Sequence, residues 1–102
     1  MANGDDKNLI RLCAAIDGFR SRFKRWPVRV LLDQRCIDDL RTHVLSESHF
    51  ERVASLITLV PTQRGTFTAM DNTGASYDYG AEGPPHEPPD ERAYDWFGLT
   101  GR

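Results

Sequence analysis

The segment Phe19-Arg20-Ser21-Arg22-Phe23-Lys24-Arg25-Trp26-Pro27-Val28-Arg29 holds five basic side chains, no acid and three interleaved aromatic rings. Cationic groups neutralise phosphates and an exposed indole stacks on a base, so this is chemistry suited to a polyanion. The same residues also read as the last turns of a helix, where the helix dipole favours cations. Phe19 and Phe23 then belong to a core stripe, and Trp26 is the accessible ring. A second cluster, Tyr94, Trp96 and Phe97, follows a proline-rich acidic arm. A stiff arm loses little entropy when it binds, so it can hold a partner or strap down over the sheet of its own domain, where Tyr77 and Tyr79 offer a surface to cover. Arginines beside aromatic rings are the usual composition of an interface hot spot. Arg20, Arg22, Arg25, Trp26 and Arg29 therefore form one candidate partner-binding surface, and Tyr94, Trp96 and Phe97 form another.

Catalytic signatures are absent from the chain. Nothing resembles GxGxxG, a GK[ST] loop, GxSxG or HExxH. Cys13, Cys36, His43, His49 and His86 lack the tight CxxC or HxxxH spacing of a structural zinc site. Cys36 and His43 fall on one side of a helix, but seven residues separate them by about 10 Å along its axis, beyond hydrogen-bond reach. No catalytic residue, metal or cofactor is assigned. Two cysteines in so short a chain point to thiols of a reducing, cytoplasmic compartment rather than to a disulfide framework.

The elements that must position these residues follow from periodicity. Residues 1–7 read as a flexible start, with Asp5 and Asp6 placed to cap a helix. Leu9, Leu12, Ile16, Phe19 and Phe23 place one apolar stripe on a helix over 8–23, which Gly18 weakens and Trp26-Pro27 ends. Residues 28–32 alternate as a strand with apolar side chains on both faces, which predicts an interior place in a sheet. Asp33 caps a second helix over 34–45, and Ser48-x-x-Glu51 fits a capping box for a third. Strands are predicted over 57–60, 66–70 and 76–79, the first ended by Pro61 and the last two joined by the turn Asp71-Asn72-Thr73-Gly74. Residues 80–90 hold four prolines and read as an extended arm without helix. After that arm, Ala93, Tyr94, Trp96, Phe97 and Leu99 predict a short docking turn.

The expected fold is α+β, in the order helix, strand, helix, helix and three strands. The last three strands form an antiparallel meander, with helices on one face of the sheet. The globular domain spans 8–80 and the arm 81–102. The 102 residues suffice for one core, and no apolar run is long enough for a membrane span. The start lacks the basic and apolar regions of a secretory signal.

Net charge is only −2, but residues 1–46 carry nine basic groups against six acids, and residues 65–102 carry seven acids against two arginines. The two halves can lie against each other, and an acidic tail over the basic segment would mask it. The leading expectation is a small non-catalytic protein-binding module of the inhibitor, antitoxin, immunity or accessory-subunit kind found in bacteria and phages. Nucleic-acid binding through residues 20–29 is the alternative, and an enzyme with a dispersed active site is a second.

Overall fold

The computed structural model describes residues 7–100. The expected flexible start and its Asp5–Asp6 cap fall outside them, except for Lys7. Helix α1 spans Lys7–Phe23 and buries Leu9, Leu12, Ile16 and Phe19 along the stripe its spacing dictates. It ends before the Trp-Pro step. Lys24 takes the left-handed conformation at φ 62, and its amide still returns to the Arg20 carbonyl at 2.9 Å.

Strand β1, Arg29–Asp33, buries Val30 and Leu32 and lies inside the sheet as its two-sided pattern predicts. Asp33 caps α2, Gln34–Asp39, by accepting the Arg35 amide at 2.8 Å. The helix then widens into a π turn, Leu40–Val44, closed by the Leu45 amide on the Leu40 carbonyl at 2.9 Å. Helix α3, Glu47–Leu56, starts two residues earlier than a capping box at Ser48 would place it. Its cap is Ser46, whose hydroxyl accepts the His49 amide at 3.2 Å.

The sheet departs from the expected meander. Its order is β2-β1-β3-β4, with β2 at Thr58–Thr62, β3 at Thr68–Met70 and β4 at Ser76–Asp78. β1 runs parallel to β2 and antiparallel to β3, so the sheet is mixed, and only β3 and β4 form a hairpin. Proline explains the rearrangement. Pro61 does not end β2 but sits within it, opposite Leu32. Having no N–H to donate, it is tolerated only where one side of the strand is left unpaired. β2 is thereby confined to the edge, and β3 must join the free side of β1. The reach from β1 to a parallel neighbour needs a long crossover, which α2, the π turn and α3 supply.

The β3–β4 turn is built as its sequence requires. Asp71 accepts the amides of Thr73 at 2.9 Å and Ala75 at 3.2 Å, and Gly74 takes φ 96. The fourth strand is shorter than expected, because Tyr79 opens a helical turn, α4, over Tyr79–Glu82. Asp78 caps that turn through the Gly80 amide at 2.9 Å, so the arm begins with helix before its prolines extend it. The final turn, α5, spans Ala93–Trp96.

Register places Leu59, Val30, Ala69 and Tyr77 in one row across the sheet, and the last three are buried against the helices. α1 crosses this face so closely that a Cβ on Gly18 would lie 2.2 Å from the Tyr77 ring. A glycine that costs helix propensity is therefore what lets helix and sheet meet. Gly18→Ala is expected to lose about 1–3 kcal/mol in urea denaturation despite its better propensity, through overpacking. In a Tyr77→Ala background the same substitution should be near neutral.

A candidate contact groove between the first helix and the proline strap

After α4 the chain turns back along α1 as a strap. The Tyr77 hydroxyl donates to the Gly83 carbonyl at 2.7 Å and the Ser21 hydroxyl to the Glu87 carbonyl at 2.8 Å. Arg20 grips Asp90 with two bonds of 3.0 and 3.1 Å, and Arg22 pairs with Glu82. Trp26 and Trp96 then stack face to face, 4.1 Å apart and 4° from parallel, with the Arg20 guanidinium 4.6 Å from the Trp26 ring. Phe97 beyond them is fully buried. The tail's aromatic turn docks on its own α1, where an expectation based on Tyr77 and Tyr79 alone placed it over the sheet.

Two candidate surfaces of the sequence are thus largely two halves of one internal contact. Arg20, Trp26 and Trp96 come together, and Arg22 joins them through the strap. Arg25 and Arg29 go elsewhere, to the β3–β4 turn. Arg25 binds the Asp71 carboxylate at 2.7 Å and Thr73 at 3.2 Å, while Arg29 donates to the Asp71 carbonyl at 3.3 Å and to Asn72. Every arginine of that segment has an acceptor from residues 71–90 of the chain. Tyr94 is separated from its neighbours Trp96 and Phe97 and turns outward at 37% exposure.

Tyr94 faces a groove of about 720 Å³ between α1 and the strap. One wall is Leu9, Ile10, Cys13, Ala14 and Asp17 of α1; the other is Pro84, Pro85, Pro88 and Pro89, closed by Arg92, Tyr94 and Asp95. Ile10 stands 63% exposed at its rim. Sequence reading passed over this groove. Its signal was a row of small residues, Ala14, Gly18 and Ser21, beside the core stripe, which lets a second chain segment lie close to the helix.

Asp17 lies at the floor and is 7% exposed. Its Oδ1 accepts the Ala93 amide at 2.7 Å, and its Oδ2 faces the Arg92 guanidinium at 3.9 Å. Ala93 is the first residue of α5, whose amide has no partner within its own turn, and Asp17 satisfies it from α1. Burial pushes the Asp17 carboxyl above its ordinary value; the Ala93 bond and Arg92 pull it down, and Asp95 adds to the rise.

Among the described residues no group of three or more acidic, histidine or cysteine side chains is placed to hold a metal ion. Cys13 and Cys36 are not joined by a disulfide. Burial raises the Cys36 thiol, the reverse of what activates a nucleophile. No helix among the described residues is long and apolar enough to cross a membrane. No family model, curated protein or solved structure matches the chain.

Asp71 sets an acid limit. Hydrogen bonds from Thr73 and Arg25, against a desolvation cost, lower its carboxyl from 3.8 to about 2. A depressed folded-state value means stability is complete above 3.8 and lost as pH falls through about 2. Asp17 has the opposite sign, since its ionised form is disfavoured in the folded chain. Urea titrations at about pH 5 and about pH 2 should show a loss that Asp71→Asn reduces, the remainder coming from Asp33, Glu82 and Asp90, whose carboxyls their arginine partners also hold low; that variant should be weaker than the parent at the higher pH and closer to it at the lower.

Proposed function

We propose that the chain is a small non-catalytic protein-binding module and that the groove between α1 and the strap is its contact surface. The observation that carries this reading is the placement of Ile10 and Tyr94. Among the described residues three large apolar side chains are exposed, Ile10, Val28 and Tyr94, and two of them face this one groove. Clustered exposed apolar side chains on a small protein mark a binding surface, whereas scattered ones do not. Four prolines give the opposite wall a fixed shape, so little conformational entropy is lost when a partner arrives. Tyr94 adds a ring with a polar tip, a side chain enriched in interface cores.

This reading keeps Tyr94 from the sequence-derived candidates and assigns the remaining seven a different part. Arg20, Arg22, Trp26, Trp96 and Phe97 hold the strap that forms the groove, and Arg25 and Arg29 brace the β3–β4 turn. Phosphate binding by residues 20–29 would have to break their pairings with the acidic half, which favours a protein partner over nucleic acid.

The test is recovery of bound material from the native host by the tagged chain. Burying an isoleucine side chain is worth roughly 1.5–3 kcal/mol. Ile10→Ser, at an exposed position, is therefore expected to reduce recovery of a specific protein more than tenfold with an unchanged melting temperature. Recovery of nucleic acid that is lost steeply with salt, and is indifferent to Ile10, would contradict the proposal.

A further inference from the structure

The groove has a polarity that its apolar walls conceal. Asp17 and Asp95 line it with two carboxylates, and Arg92 is the one cation among its lining residues. Arg92 is a loose partner. Its side chain is 61% exposed, and its guanidinium stands 3.9 Å from Oδ2, beyond hydrogen-bond length. Among the described residues Asp95 is engaged by the Thr100 hydroxyl and by no cation. The result is a buried carboxylate with one oxygen held firmly by Ala93 and the other directed at a solvated side chain, at the bottom of an apolar cleft.

We propose that this groove accepts an arginine or lysine side chain of a partner polypeptide, with its aliphatic stem on Ile10, Pro85 and Tyr94 and its cation at Oδ2 of Asp17. This rests on the reading of the groove as a protein-contact surface and names what fills it. Long basic side chains suit such a cleft because the stem buries apolar area while the head reaches a charge. A guanidinium or ammonium within hydrogen-bond reach of Oδ2 would replace the long, solvent-screened Arg92 contact with a charge-assisted bond. Tyr94 offers its ring face to the same cation. A purely apolar occupant would seal Asp17 away from water without a new partner, which is costly for a carboxylate. An acidic occupant would face two carboxylates with Arg92 alone. The raised carboxyl of Asp17 agrees with this, since a cation arriving there relieves an ionised group that burial disfavours.

The experiment is a displayed library of random peptides panned on the full chain, with the enriched peptides measured against four variants. The proposal expects peptides that share an arginine or lysine flanked by apolar residues. They should lose at least about tenfold in affinity to both Ile10→Ser, which removes the apolar contact without adding charge, and Asp17→Asn. Asn keeps an acceptor oxygen for Ala93, and a melting curve checks that the variant folds. Asp95→Asn should weaken them by about twofold to fivefold. Arg92→Ala should tighten them by a similar factor because it removes the competing cation, a sign that simple destabilisation does not produce. If Asp17→Asn does not fold, the opposite signs at Asp95 and Arg92 decide. Peptides that need Ile10 but carry no basic residue, or are not tightened by Arg92→Ala, overturn the cation site and leave the groove standing. If no peptide enriches, or those that do ignore Ile10→Ser, the groove reading fails and the cation site with it.

Discussion

One hydrogen bond ties the two ends of the fold together. The carboxylate of Asp17, midway along α1, takes the amide of Ala93 across 76 positions of sequence. The free amide of a short terminal turn and the buried carboxylate each need a partner, and each would be costly alone. Once they pair, the direction of the chain between α4 and α5 is fixed, and the prolines have to run beside α1 rather than away from it. The Trp26–Trp96 stack and the Arg20–Asp90 pair then close the contact from the side. Of these, the exposed ion pairs add little energy, since solvent screens them, and the aromatic stack and the buried amide carry more. The groove exists because the strap is held at one end by Asp17 and at the other by the Tyr77 hydroxyl on Gly83, with proline stiffness spanning the interval.

The sheet supplies the rigid base for this arrangement. Tyr77 passes under α1 where Gly18 leaves room, so the residue that anchors the strap is itself packed into the helix–sheet layer. The sequence asymmetry, basic in front and acidic behind, becomes an internal electrostatic fit in which the arginines at 20, 22, 25 and 29 meet acceptors at 90, 82, 71 and 72. That fit consumes the feature that most resembled a polyanion site and leaves the less conspicuous groove as the accessible surface.

What could be read from the sequence was local. The α1 stripe, the interior character of β1, the Asp33 cap and the Asp71–Gly74 turn follow from periodicity and turn chemistry within a few residues. The strand order does not. It depends on which neighbour β2 can accept, and the clue lay in Pro61, which reads as a strand terminator until the edge position it requires is considered. The Ser48 capping box fitted the pattern, but Ser46 stood two residues upstream with the same hydroxyl and captured the helix start. Of the site, the aromatic tail and its docking turn were legible because a run of apolar side chains is not left wholly in water: Ala93, Phe97 and Leu99 are buried, while Tyr94 stays outside. Asp17 was not, because a single acid in a helix looks like any solvated residue until the element packed against it is known.

The most direct test is hydrogen exchange at the Ala93 amide by nuclear magnetic resonance. Strap and groove depend on its bond to Asp17, so this amide should exchange in the slow class with Ile16 and Phe19 of α1, and Asp17→Ala should speed it selectively. An Ala93 amide that exchanges as fast as those of an unstructured peptide would show that the tail is not held on α1, and the groove would have no second wall.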